Sequence, residues 1–223
     1  MYIIKNGFYK NIESDEIVIG DNLIVAIFGN NNILRNVIIG KNSKLEYFGF
    51  YTDEGDYDKT FTLNGEKSEC TVNSLIYSKN NKLNVRILGE SNSNNTKIKV
   101  HILSFVGEQG DIKVDGNIKI SSGLSKVIGT LKEENIYLGN TGKIAGIPTL
   151  LIESNDVEAS HSCNIERISD EKLFYLRSRG IGKENALRMI IEAKIKDLYR
   201  CIFAYDNKFE KEMLENIIDM IGE

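Results

Sequence analysis

Tryptophan is absent from the 223 residues, proline occurs once, at Pro148, histidine twice, at His101 and His161, and cysteine three times. Each scarcity excludes something. The cysteines, Cys70, Cys163 and Cys201, form no C-x-x-C pair, so neither a zinc ribbon nor a thioredoxin-like motif is available. An odd, sparse count also argues against the disulfide framework of a secreted domain. With so few soft ligands, metal chemistry in one chain must draw on this short list, on carboxylates, or on a second chain. No run approaches the roughly 18 apolar residues of a membrane span. The opening MYIIKNGFYKNIESDE turns polar and acidic before any apolar run of signal length, so the expected location is cytoplasmic. A net charge of −4 argues against nucleic acid as the main partner. There is no P-loop, no G-x-S-x-G and no H-E-x-x-H, and Ser121-Ser122-Gly123-Leu124 has the wrong spacing for a nucleotide loop. The expectation is a protein without catalytic turnover of its own.

What is present divides into two parts. Hydrophobic residues make up 41% and charged residues 27%, enough for a packed core. Residues 16 to about 165 read as many short strands, among them Leu23–Phe28, Leu45–Tyr51, Thr71–Tyr77, Leu83–Leu88 and Ile98–Phe105. In the last, Ile98, Val100, Ile102 and Ser104 face one way and Lys97, Lys99, His101 and Leu103 the other. Asn and Gly punctuate the turns, as in Gly40-Lys41-Asn42, Lys79-Asn80-Asn81 and Ser91-Asn92-Ser93-Asn94-Asn95. No helical period interrupts this region, which disfavours a parallel α/β fold. A sandwich or jelly roll and a parallel β-solenoid both fit, and no clean internal repeat decides between them.

From Ser169 the period changes. Ser169-Asp170-Glu171-Lys172 starts a short helix that Gly180 closes as a C′ glycine. A second helix is expected from about Lys183 to Tyr205, with Leu187, Ile190, Ile191, Ile195, Leu198 and Ile202 on one stripe. A third is expected from about Lys208 to Ile221, with Met213, Leu214, Ile217, Ile218 and Ile221 on one face. The expected division is therefore 1–168 strands and 169–223 helices.

Two constellations carry chemistry. In Ala159-Ser160-His161-Ser162-Cys163, residues i and i+2 of an extended strand share a side, which sets an imidazole beside a thiol. Both ligate iron and zinc, and a histidine also activates a thiol. Fe–S clusters take about four ligands, so a cluster here needs a second subunit, an exogenous thiol, or carboxylates such as Glu153. The second is Arg177-Ser178-Arg179-Gly180-Ile181-Gly182-Lys183. Its helix, Gly-Ile-Gly turn and helix are similar to a helix-hairpin-helix unit, in which turn amides hold a DNA phosphate. Phe174, Tyr175, Arg179 and Ile181 also form an aromatic–arginine group of the kind enriched at protein interfaces. Asp15-Glu16 and Glu133-Glu134 read as solvated turn residues, and Cys70, Cys201 and His101 as structural.

The run Leu151-Ile152-Glu153-Ser154-Asn155-Asp156-Val157-Glu158-Ala159-Ser160-His161-Ser162-Cys163, followed by Ile168-Ser169-Asp170-Glu171-Lys172-Leu173-Phe174-Tyr175-Leu176-Arg177-Ser178-Arg179-Gly180-Ile181, closely resembles the SufB/SufD family of iron–sulfur cluster scaffolds. The family shows an acidic strand ending in A-S-H-G-A-T, then I-D-E-E-x-L-F-Y-L-x-S-R-G-I opening a helix. The match spans about thirty residues of this chain. Gly116-Asn117-Ile118-Lys119-Ile120 to Gly142 is similar more weakly to the family's last coils.

The resemblance implies a right-handed parallel β-helix body with a C-terminal helical domain. It implies a transient iron–sulfur cluster as cargo. It implies pairing through the β-helix with a second copy or a SufB/SufD-like paralogue, and docking of the ABC ATPase SufC on the C-terminal helices. His161 stands at the histidine of the SufD branch implicated in assembly. Ser162 stands where the SufB branch has a functional glutamate, and the position of that branch's essential cysteine falls near Ile144. Cys163 offers a displaced thiol, with Glu153 as a further ligand. Phe174, Tyr175, Arg177, Arg179, Gly180 and Ile181 are the expected ATPase-docking group. The chain is shorter than either branch and closer to SufD at its site. Two alternatives stand beside this reading: a SufC-binding structural subunit without a cluster site, and a helix-hairpin-helix nucleic-acid binder.

Overall fold

Short β-rich segments separated by Asn/Gly corners can stack as rungs if each corner turns the chain from one sheet to another. The computed structural model describes residues 1–168, 170–205 and 207–222. Its strands are β1 (Tyr2–Ile3), β2 (Gly7–Tyr9), β3 (Glu16–Ile19), β4 (Ile24–Gly29), β5 (Asn36–Ile39), β6 (Lys44–Tyr51), β7 (Gly55–Leu63), β8 (Glu69–Ser78), β9 (Lys82–Ser91), β10 (Lys97–Val106), β11 (Asp111–Ile120), β12 (Ser125–Tyr137), β13 (Lys143–Gly146), β14 (Thr149–Ile152) and β15 (Asp156–Arg167). Among the described residues, β1-β3-β5-β7-β9-β11-β13 form one sheet, with β14 also on β11, and β2-β4-β6-β8-β10-β12-β15 form the other. Every pairing is parallel. The chain is a β-solenoid, and the sandwich is excluded.

The rungs lengthen along the chain. Tyr2 pairs with Val18, 16 residues on, Glu16 with Asn36, 20 on, and Gly55 with Leu83, 28 on. Asp111 pairs with Lys143, 32 on. A repeat that doubles in length has no fixed period, which is why self-comparison of the sequence shows none.

The corners hold the rungs in register. Asn22, Asn42 and Asn95 adopt φ of 60°, 54° and 59°, a region asparagine tolerates well. Asn42 Nδ2 donates to Asn22 Oδ1 at 3.1 Å, Asn92 Nδ2 to Asn64 Oδ1 at 3.2 Å, and Ser121 Oγ to Asn92 Oδ1 at 2.6 Å. Each bond ties a corner to the one below it.

The two sheets differ in what covers them. Inward residues of both fill the lumen, including Ile39, Leu45, Val72, Ile87, Ile98, Val100, Ile102 and Leu131. The outer face of the first sheet meets solvent, so β9 alternates buried Leu83, Val85 and Ile87 with more exposed Lys82, Asn84 and Arg86. The outer face of the second is apolar: Ala26, Phe48, Leu75, Leu103, Phe105 and Ile136 are buried beneath the C-terminal helices.

Those helices are α1 (Asp170–Ser178), α2 (Lys183–Leu198) and α3 (Asn207–Gly222), with a 3₁₀ turn at Arg200–Ala204. Ser169, the expected helix start, and the Met213 side chain lie outside what is described. Leu187 is partly buried, and Ile191, Ile195, Leu198, Leu214, Ile217, Ile218 and Ile221 are buried against the sheet or one another. The second helix is shorter than its periodicity suggested. It stops at Leu198, where Tyr199 is fully buried, its hydroxyl donating to the carbonyl of Gly49 and its ring edge-on to Phe48 at 6.0 Å.

Candidate functional site

The last rung, β13, β14 and β15, has a free side, so positions that would be lumen-facing elsewhere are open here. In register, β15 sets Val157 against Val127, His161 against Leu131 and Cys163 against Glu133. Val127 and Leu131 are lumen residues. His161 and Cys163 therefore share the lumen-side parity, as their i, i+2 spacing required, and both are exposed at the open end.

Beneath Cys163 is a polar group in a largely apolar lumen. Glu133 is 1% exposed and Asn135 0% exposed. Glu133 Oε1 accepts from the Gly116 amide at 3.1 Å, while Oε2 has no hydrogen-bond partner. Asn135 Nδ2 lies 3.7 Å from Cys163 Sγ, and its Oδ1 is unpartnered. Facing them across the lumen is Gly146, at the end of β13. A Cβ on Gly146 would lie 2.8 Å from each of Glu133 Oε2, Asn135 Nδ2 and Cys163 Sγ. The absence of a side chain lets these three polar atoms pack against the glycine backbone, and no Cβ fits there without displacing them.

Burial pushes the Glu133 carboxyl up to about 7, although Cys163 and the Gly116 amide pull it down. Burial, and then the neighbouring Glu133 carboxylate, push the Cys163 thiol above its ordinary range. The thiol favours the Glu133 carboxylate by bonding to it, and that carboxylate in turn disfavours the thiolate.

This corrects the reading of Glu133-Glu134 as solvated turn residues. Both lie in β12. Glu133 points into the lumen, and Glu134 sits on the outer face, bonded to His101 Nε2 at 2.8 Å, to Lys194 Nζ at 3.0 Å and to Lys132. The alternation Val127, Gly129, Leu131 continues without interruption into Glu133 and Asn135. That period of two was the available signal, and the charged run Lys132-Glu133-Glu134 obscured it.

Glu153 is placed elsewhere. It follows β14, its amide donates to the Ile120 carbonyl at 3.0 Å, and its charge acts on Lys119. Ile118 and Ile120 fill the lumen, so Lys119 belongs to the outer face of the first sheet. The structure thus brings Glu133, not Glu153, to Cys163. Ile144 packs half-buried against the core, and Ser162 is exposed on β15. No group of three His, Cys, Asp or Glu side chains suited to a metal occurs among the described residues.

The second predicted group lies on α1 and the turn after it. Phe174 is 71% and Tyr175 59% exposed, and the Arg179 guanidinium lies 5.4 Å from the Tyr175 ring centroid. Arg177 is also exposed and Ile181 half-buried. Gly180 adopts φ +86°, a region glycine enters without penalty, and this lets the Ile181 amide reach back to the Leu176 carbonyl at 3.2 Å. The turn is fixed while its aromatic side chains stand in solvent. Among the described residues no helix is long and apolar enough to cross a membrane.

Comparison with known proteins agrees with this architecture. The family model for the SufBD core domain of SUF system FeS cluster assembly matches residues 31–194. The chain is 31% identical to the iron–sulfur cluster assembly protein SufD of Escherichia coli over 156 residues, 70% of this chain and 36% of that protein. It is 26% identical to SufD of Bacillus subtilis over 197 residues, 79% of this chain and 43% of that protein. A SufBD family protein of Mycobacterium leprae is 45% identical over 58 residues, 26% of this chain and 15% of that protein. The chain spans well under half the length of these curated relatives. With the family model covering most of the chain and a parallel β-solenoid beneath it, this protein belongs to the SufBD core family of the Suf iron–sulfur cluster assembly system.

Proposed function

We propose that this chain is a non-catalytic scaffold or accessory subunit. It pairs with a second copy or a paralogue through the open end of its solenoid, contributes ligands to a nascent iron–sulfur cluster there, and docks an ATPase of the SufC type through α1 and the turn behind it. The observation that carries this is the open last rung, which presents His161 and Cys163 from the lumen-side parity of an edge strand. An edge strand with free backbone groups is a template for pairing. The exposed apolar residues of the last rung, Ile147, Leu151 and Ile165, are suited to a partner surface.

Ligand counting supports a shared site. One chain offers a thiol, an imidazole and the Glu133 carboxylate near this end, and a cluster takes about four ligands. The cluster is cargo, held between chains and passed on. Phe174, Tyr175 and Arg179 have the composition of an interface anchor. For ATP hydrolysis to release the cargo, the ATPase must bind one arrangement of the pair better than another.

A second reading follows from Ile144 and Ser162, neither of which is a strong ligand. On that reading the chain docks the ATPase and carries no cluster. Anaerobic reconstitution with a SufC-type ATPase, iron and sulfide separates the two. The scaffold reading expects a visible cluster spectrum with stoichiometric iron and sulfide, lost in His161→Ala. Binding of the ATPase without any retained iron in wild type overturns it in favour of the structural subunit. In the same preparation, Phe174→Ala with Tyr175→Ala is expected to weaken ATPase binding at least tenfold without changing the thermal midpoint, because both rings are exposed.

A further inference from the structure

The helices cover only the apolar half of the second sheet's outer face. Beside the end of α2 the other half is polar, and it floors a groove of about 520 Å³. We propose that this groove binds a small molecule carrying two or more adjacent oxyanions, a chemistry that phosphate esters and polycarboxylates share.

Strand register builds the floor. Thr71 of β8 lies beside Lys99 of β10, and Lys99 beside Thr130 of β12. Neighbouring strands are about 4.8 Å apart, so two hydroxyls and an ammonium stand in a row roughly 10 Å long. Lys97 precedes Lys99 on the same face of β10, and Asn73 follows Thr71 on the same face of β8.

These groups have spare bonding capacity. Among the described residues, the side chains of Thr71, Thr130, Lys97 and Lys99 make no hydrogen bond or ion pair. Asn73 is 8% exposed, lines the groove, and its amide has no partner either. A buried amide without a hydrogen bond is costly, and two ammonium groups on one strand face repel. An oxyanion at this floor relieves both.

Most carboxylates nearby are already engaged. Glu46 takes Lys44 at 2.8 Å, and Glu134, behind His101, takes Lys194 at 3.0 Å and Lys132. On the opposite wall Asp197 and Arg200 offset one another at 3.9 Å. Glu69 is exposed beside Lys97. It sets the anion away from that rim, toward Lys99, Thr71 and Asn73. The volume is that of a small-molecule pocket, about 300–1,000 Å³, and a row of donors suits linked anionic groups better than one ion.

The test is calorimetric titration of the whole purified chain at about 0.15 M ionic strength, where exposed charges are screened beyond about 8 Å. The probes are pyrophosphate and citrate. Expected is saturable binding of at least one, with one molecule per chain. Binding of pyrophosphate alone supports a phosphate ligand, of citrate alone a polycarboxylate, and of both the shared chemistry. Lys99→Met and Asn73→Ala should each weaken binding at least tenfold. Lys113→Met removes an exposed lysine from the outer face of the first sheet and should leave binding unchanged. Far-UV circular dichroism and thermal midpoints establish that the variants fold. If Asn73→Ala fails to fold, Lys99→Met, at an exposed position, decides. No saturable binding of either probe, binding indifferent to Lys99→Met, or an equal loss in Lys113→Met overturns the site.

Discussion

At the scale of single residues, the lumen tolerates a few polar groups and makes each one specific. Lys59 is 2% exposed, and its ammonium donates to the carbonyls of Asn31, at 2.8 Å, and of Leu34, and lies 5.7 Å from the Tyr51 ring centroid. Burial, with Arg35 adding to it, lowers its pKa to about 8. A base whose folded pKa lies below its unfolded value is penalised when charged. The folded state therefore binds fewer protons between about 8 and the ordinary value, and stability rises with pH across that window. The gain is on the order of 2–3 kcal/mol. Urea unfolding of wild type against Lys59→Met from pH 7 to 10 should show wild type gaining relative to the variant above pH 8. Parallel curves would contradict it. Glu133 belongs to the same class of lumen residue. Its identity was plain in the sequence, but its role was not, because a charged pair beside Asn resembles a turn and only the continued period of two places it in a strand. Cys163 and His161 were legible as partners because a strand puts i and i+2 together regardless of what surrounds it.

At the scale of elements, the helices are held to the second sheet by an apolar seam with a few polar ties. Phe48, Leu75, Leu103 and Phe105 meet Ile191, Ile195, Leu198 and Tyr199. Across this seam Lys194 of α2 bonds Glu134 of β12 at 3.0 Å, and both side chains are largely buried. Burial alone would raise the Glu134 carboxyl, but Lys132, Lys194 and His101 bring it down to about 2. A carboxylate with a depressed folded pKa contributes stability above its unfolded value and loses it as pH falls toward the folded one. Between about pH 4.5 and 2 the seam should loosen by on the order of 1–2 kcal/mol, solvent screening of the partly exposed pair included. Hydrogen exchange should then show α2 amides losing protection before those of β8 and β10. Glu134→Gln should be less stable than wild type at pH 7 and flatter in acid. Equal acid sensitivity of wild type and Glu134→Gln would contradict this. The existence of the helices was legible from their stripes. The end of α2 was not, because the stripe continues through Ile202 while the burial of Tyr199 against Gly49 and Phe48 ends the helix at Leu198.

At the scale of the whole molecule, a solenoid buries each rung against the next and leaves its ends unsatisfied. The C-terminal end is where the family's assembly chemistry would meet a second chain. Ile165 is 48% exposed on β15 and shares the lumen parity of His161 and Cys163. Ile165→Lys places a charge at that end without touching the packed rungs. On the proposed pairing with a second copy, it is expected to shift a sedimentation-velocity profile toward monomer relative to wild type, with the thermal midpoint changed little. A profile identical to wild type would place any pairing surface elsewhere.

The sequence by itself determined the β-rich body, the helical tail and the motif around His161 and Arg179. These follow from local periodicity and from residue order, both of which survive without coordinates. Periodicity left sandwich and solenoid both open, because rungs growing from 16 to 32 residues erase any repeat; the family resemblance implied the parallel solenoid, and the strand pairing bears it out. Only the tertiary structure placed Glu153 outside and Glu133 inside. The partner of Cys163 is set by register between strands about thirty residues apart, and nothing in the local sequence carries that distance.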